Sequence, residues 1–142
     1  MHWDNPVPIV AAIVERDGEV VLVRSRGWPE TWYGLVAGFL ETGETPEDAI
    51  LREIGEEIGV EARLVEQIGV YPFARLNQVI FVYHAQYDDG EIVLCETELA
   101  DYRRVPIERL KPWPEGTGPA VRDWLARRGL DPEVVAFGTP ID

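Results

Sequence analysis

Residues Gly38–Val60 read GFLETGETPEDAILREIGEEIGV, and this run decides how the chain folds. Within it, Arg52-Glu53-Ile54-Gly55-Glu56-Glu57 places Glu53, Glu56 and Glu57 at i, i+3 and i+4 of a helix. At 3.6 residues per turn the three carboxylates share one face. Charges this close repel one another and weaken the helix. The arrangement makes physical sense when a divalent cation sits among them. A solvated acidic face is the ordinary alternative for an isolated cluster of this kind.

The flanking residues predict the limits of the helix. Thr45 suits the N-cap, Pro46 the first helical position, and Glu47 and Asp48 the positive end of the dipole. Asp48, three residues after Thr45, approximates a capping box. Ile50, Ile54 and Ile58, helped by Ala49, form a buried stripe, and Gly59 stops the helix in a left-handed cap with Val60 folding back. Gly55 is out of place, because an interior glycine costs about 1 kcal/mol against alanine. A close backbone approach at that point is the expected reason.

Working outward, Val7–Val14 reads as a buried strand, turned at Asp17-Gly18 into a hairpin partner, Glu19–Arg24. Ser25–Thr31 is a loop, and Trp32–Phe39 a strand leading into the acidic run. Ala62–Val70 and Val79–Tyr87 read as strands, with Asp88-Asp89-Gly90 turning the second into Glu91–Leu94. Tyr102–Val105 reads as a short strand and Ile107–Leu110 as a helical turn. Pro119–Arg128 is an amphipathic helix stopped by Gly129, and residues 130–142 form an irregular, loosely structured tail. The pattern is α/β or α+β. One domain over residues 1–129 is the expected organisation.

Composition narrows the function. A length of 142 residues, 46% apolar and 27% charged, suits a globular domain. No apolar run reaches the ~20 residues of a membrane helix, and MHWDNPVP has neither the basic nor the apolar region of a signal peptide. Cys95 is the single cysteine, which excludes an intrachain disulfide and a cysteine-rich zinc module and points to a reducing, cytoplasmic setting. A net charge of −13 argues against a long nucleic-acid backbone as partner, though not against a small phosphorylated one.

Gly38, Glu44, Arg52-Glu53-Ile54, Glu56-Glu57 and Gly59-Val60 together resemble the complete Nudix box, nine defined positions at the right spacing. The resemblance implies an α/β/α sandwich around a mixed sheet, covering roughly residues 7–128. It implies that Glu53, Glu56 and Glu57 hold magnesium or manganese, that Arg52 and Glu44 form a supporting ion pair, and that Gly38 lets the backbone approach the metal. The reaction implied is attack of water on a diphosphate joining a nucleoside to another moiety. Sanitising hydrolysis of nucleoside triphosphates, and a nucleotide-sensing module without turnover, are the alternatives. Many relatives of this type pair as homodimers.

Other residues are candidates for the same site. The general base is Glu57 itself or an acid from a distant loop, Glu96 or Glu98. The likeness of CETEL to the NADH pyrophosphatase-like branch favours Glu98, which precedes a leucine there. Arg24 and Arg26 end the second strand and could hold phosphate oxygens by bidentate hydrogen bonds. Trp28, Trp32, Tyr33, Tyr71, Phe73 and Tyr83 offer stacking surface or core packing. Trp28, in Gly-Trp-Pro, is the least core-like, and Phe73 falls where that branch carries its substrate motif, of which only Pro72-Phe73 is clear. The long N-terminal and zinc-binding parts of that branch have no counterpart here. His84 reads as structural, and Asp88-Asp89 as a turn.

Overall fold

The computed structural model describes residues 4–141; residues 1–3 of the N-terminal stretch and residue 142 of the tail lie outside the described residues. The element order is β1 (Val7–Arg16), β2 (Glu19–Ser25), β3 (Val36–Phe39), α1 (Pro46–Ile58), β4 (Arg63–Phe73), β5 (Gln78–Gln86), β6 (Leu99–Pro106) and α2 (Gly118–Arg127). Short 3-10 turns follow β4 and β6, at Ala74–Leu76 and Ile107–Arg109.

One six-stranded mixed sheet runs β4-β5-β1-β2-β6, with β3 also paired to β1. β1 and β5 are parallel and the other pairs antiparallel. The hairpin turn places both Asp17 (φ 52°) and Gly18 (φ 77°) in the left-handed region, as a two-residue loop requires. Beyond that turn β1 and β2 separate. The pairs 14–16 to 19–21 join them, after which residues 9–12 of β1 take β3. The sheet therefore splits, and β3 enters the split as a short wedge bridged to β2 only through Gly34 and Val23.

Alternation along β1 serves two cores. Ile9, Ala11 and Ile13 face α2 with its Val121, Trp124 and Leu125, while Val10, Ala12 and Val14 face α1 with Ile50, Ile54 and Ile58. Both faces of the sheet are covered, which gives the α/β/α sandwich. No helix is long and apolar enough to cross a membrane among the described residues.

Helix α1 has the caps its sequence dictates. Thr45 Oγ1 accepts the Asp48 N–H at 3.2 Å, and Gly59 adopts φ 71° while donating to Gly55 O. Gly55 itself has open space where a Cβ would stand, so no close approach accounts for it. The helix meets the sheet through its isoleucine side, leaving Gly55 on the outer face.

Four further expectations need correction. Only Val36–Phe39 of the 32–39 segment is strand; a turn closed by Trp32 N–H to Pro29 O (3.0 Å) precedes it, and Tyr33 is turned into the α2-side core. Residues 91–94 form no strand. They run past the end of α1, where Val93 and Cys95 N–H groups satisfy the free carbonyls of Ile58 and Glu57 at 3.0 and 2.9 Å. The tail is irregular but not loose, because Phe137 and Ile141 pack on the α2-side core. β4 also runs three residues longer than expected, to Phe73; as an outer strand it tolerates Pro72.

Candidate active site

Arg52 organises the acidic run. Its guanidinium takes Glu44 in a two-point grip, Nε to Oε2 at 2.8 Å and Nη2 to Oε1 at 2.9 Å. The same group donates to Phe39 O at 3.3 Å, at the end of β3. Glu44 closes its own loop by accepting the Glu41 N–H at 3.1 Å. The arginine thus ties the strand end, the connecting loop and α1 into one unit. Its hydrogen bonds hold the Glu44 carboxyl below its usual range, and Glu44 in turn keeps Arg52 firmly protonated.

Glu53 and Glu57 point inward from α1 and are buried, at 9% and 7% exposure. Glu53 receives Arg52 Nη1 at 2.9 Å and lies against Gly38, where any Cβ would overlap its carboxylate. Close approach of a candidate ligand thus requires glycine at this position. Glu57 reaches the backbone N–H of Ala37, yet its Oε2 is buried and has no hydrogen-bond partner. An orphaned buried carboxylate oxygen is rare and calls for an explanation. Burial, with the charges of Glu53 and Glu98 nearby, pushes the Glu57 carboxyl up to about 8. Burial raises Glu53 as well, against the opposing pull of Arg52.

Glu98 stands in the turn just before β6. Its charge raises both Glu53 and Glu57, its backbone N–H bonds Cys95 O at 3.0 Å, and its carbonyl accepts Arg26 N–H at 2.9 Å. Glu96 presents its carbonyl to the Arg26 side chain. Glu56 leans outward to Arg52 Nη1 at 3.2 Å, with its side chain 59% exposed. As the side chains stand, no three of His, Cys, Asp or Glu among the described residues are spaced to surround an ion. Arg52 instead holds Glu53 and Glu56 by hydrogen bonds at 2.9 and 3.2 Å. The donor set nevertheless fits a hard divalent cation: all carboxylate oxygens, one of them orphaned, beside a glycine that has no side chain to keep them off.

The remaining candidates divide. Arg24 leaves its Nε buried and unpartnered, with its guanidinium 6.0 Å from the Tyr33 ring centre. Arg103, which sequence reading passed over, stands 4.8 Å from the same ring. Tyr33 donates its hydroxyl to Asp101 at 2.6 Å, and that bond holds the Asp101 carboxyl low. Two guanidiniums and the Asp101 carboxylate thus gather at one tyrosine. The signal for Arg103 was its register opposite Leu22, knowable only once β2 and β6 were paired. Trp28 packs edge-on against Trp32 (5.9 Å) and Phe137 (5.6 Å). Phe73 is not brought to this group. It lies on β4, three strands from β2 and so roughly 14 Å across the sheet, under Arg75 at 5.2 Å and against Gly116.

His84 is buried and bonds Glu15 Oε1 at 2.7 Å, while Gln86 supports the same oxygen at 3.2 Å. It faces Trp124 of α2 and stands apart from the carboxylates of α1.

The chain is similar to known proteins over most of its length. The NUDIX domain model matches residues 5–127. A protein of Pseudomonas putida named NAD-capped RNA hydrolase NudC is 33% identical over 132 residues, covering 92% of this chain and 48% of that protein. Its namesake in Pseudomonas aeruginosa is 35% identical over 134 residues, again covering 92% of this chain and 48% of the relative. The chain thus spans about half the length of these curated relatives. Among solved structures, a NUDIX hydrolase from Nitrosomonas europaea superposes with TM-score 0.75 at 26% identity, over 95% of this chain and 79% of that one. A UDP-X diphosphatase superposes with TM-score 0.70 at 26% identity, over 94% and 68%. The chain belongs to the Nudix family.

Proposed function

We propose that the chain hydrolyses the diphosphate of a nucleoside diphosphate joined to a second moiety, with magnesium or manganese held by Glu53, Glu56 and Glu57 beside Gly38. The observation that carries this is Glu57 Oε2, buried and without a partner next to a second inward carboxylate. A buried oxygen in that state is explained by a cation that completes it. Such an ion supplies charge neutralisation of the diphosphate and a more acidic bound water.

The chain's own groups supply the rest. The Arg52–Glu44 pair fixes α1 against the end of β3, so the carboxylates keep their aim. Glu98, exposed and close enough to act on both buried glutamates, is the carboxylate free to take a proton from attacking water. Arg24, with Arg103 beside it, holds substrate phosphate oxygens, which would satisfy the unpartnered Nε. Trp28 borders the nucleoside end of the same route. Phe73, on the outer strand, contributes through the core and not through the ligand.

For the substrate class, the named relatives act on NAD-capped RNA, in which a diphosphate joins two nucleotides. The acidic surface of this chain opposes the RNA body, so the reading favours the small end of that class: NADH, ADP-ribose or a nucleotide sugar. The test is a panel of NADH, NAD, ADP-ribose, nucleotide sugars, diadenosine polyphosphates and oxidised dGTP, incubated with magnesium and followed by product identification. Release of a nucleoside monophosphate from a nucleoside diphosphate conjugate is the expected result. No product from any of them would overturn the proposal.

A further inference from the structure

Arg24 and Asp101 stand directly opposite each other on the paired strands β2 and β6, and Leu22 and Arg103 form the next pair along the same face. That face is the α2 side, where Leu22 packs. An arginine opposite an aspartate on an antiparallel pair is the ordinary setting for a cross-strand ion pair. Yet neither Arg24 nor Arg103 pairs with a carboxylate among the described residues. Asp101 accepts the Tyr33 hydroxyl instead, at 2.6 Å. Arg24 is left with a buried Nε that has no partner. The register shifts at this point, from Arg24 opposite Asp101 to Ser25 opposite Leu99, so Ala100 is an extra residue in β6. A bulge re-aims the side chains beside it, and this one adjoins Asp101.

We propose that Asp101, tethered by the Tyr33 hydroxyl, is a specificity-determining residue: it stays near Arg24 and Arg103 without pairing with either, and so favours an internal diphosphate over a phosphate chain with a free end. The inference rests on the reading of Arg24 as a phosphate contact given above. Asp101 acts through the guanidiniums and not by touching substrate, which makes it a positioning residue.

Charge and burial support it. The Tyr33 hydrogen bond, then a bond from the Tyr102 backbone and the charges of Arg24 and Arg103, hold the Asp101 carboxyl below its usual range. Asp101 is therefore ionised at neutral pH and offsets part of the positive charge of the two arginines. Tyr33 is 6% exposed and packed in the α2-side core, so the hydroxyl that holds Asp101 is itself fixed. A terminal phosphate brings about 1.5–2 negative charges at neutral pH. A diphosphate esterified at both ends has no such group. A carboxylate kept beside the guanidiniums repels the first more than the second, and a repulsive element of this kind is a common source of specificity. Without the tether, the partner directly across the strand pair is Arg24. Pairing there would mask the arginine from every substrate.

The test reads binding, so it does not depend on turnover. Wild type, Asp101→Asn, Tyr33→Phe and the double variant are titrated with ADP-ribose and with ATP in EDTA by calorimetry. The wild type should favour ADP-ribose. Asp101→Asn, which keeps an oxygen for the Tyr33 hydroxyl, should raise affinity for ATP relative to ADP-ribose about tenfold. Tyr33→Phe should weaken both ligands about tenfold, and the double variant should recover them, a rescue that a merely damaged fold would not show. In the wild type the preference should narrow as salt rises from roughly 0.01 M to roughly 1 M, over which the screening length falls from about 30 Å to about 3 Å. That arm needs no variant, so it decides the matter should the variants unfold. An unchanged ligand ratio in folded Asp101→Asn, no recovery in the folded double variant, a wild-type preference indifferent to salt, or no binding of either ligand would overturn the inference. A wild-type chain that shows this charge selection but cleaves no diphosphate would defeat the hydrolase reading and leave the role of Asp101 standing.

Discussion

Replacing Glu57 by glutamine in the metal-free protein should stabilise the fold while removing its turnover. In the folded chain the Glu57 carboxyl is pushed up to about 8 from an ordinary 4.5 by burial and by the charges of Glu53 and Glu98. Below about 4.5 both folded and unfolded chains carry the proton there. Between 4.5 and 8 the folded chain keeps a proton that the unfolded chain has lost, so stability falls as pH rises through this window and is lowest above 8. At about 1.4 kcal/mol per unit the limit is near 5 kcal/mol. Relaxation and water entry reduce this to roughly 2–4 kcal/mol. Glutamine keeps an oxygen for the Ala37 N–H and never ionises, so the variant escapes the loss. With 142 residues, an unfolding entropy near 0.3 kcal/mol per degree turns this into roughly 7–13 °C of Tm. Melting curves in EDTA at pH 6 and pH 9 provide the assay. The variant should gain most at pH 9, and saturating magnesium should rescue only the wild type. Turnover should fall at least ~100-fold. A variant no more stable than wild type at pH 9 in EDTA would refute the account of Glu57 as a carboxylate strained by its own site.

Two other substitutions follow from glycines. Gly38→Ala drives a Cβ into the Glu53 carboxylate, and magnesium affinity by calorimetry should fall ~10-fold or more, in the range seen when groups supporting a metal ligand are altered; unchanged affinity would separate Gly38 from the site. Gly55→Ala meets open space on an exposed turn of α1, so it should raise stability by about 1 kcal/mol, or about 3 °C; a lower Tm would mean that the helix needs glycine there.

Helix α1 was legible residue by residue, because its caps and its isoleucine stripe are local. Thr45, Pro46, Gly59 and the residues between depend only on neighbours within a turn or two. The β1–β2 turn was legible for the same reason. What escaped depends on partners far along the chain. Residues 91–94 looked like a strand, but Val93, and Cys95 just beyond it, donate instead to the free carbonyls at the end of α1. The tail showed little periodicity because one residue, Phe137, anchors it to tryptophans at 28, 32 and 113. Within the candidate site the buried glutamates were readable from spacing. The Arg24–Tyr33–Arg103 group was not, since it assembles across β2, β6 and the segment before β3.

The most direct measurement is anomalous diffraction from crystals soaked in manganese. Density centred between Glu53, Glu56 and Glu57 and in reach of the Gly38 backbone, with Glu56 swung away from Arg52, is the predicted result. A folded, well-ordered crystal with no manganese at that cluster would contradict the claim that these carboxylates exist to hold a cation against a diphosphate.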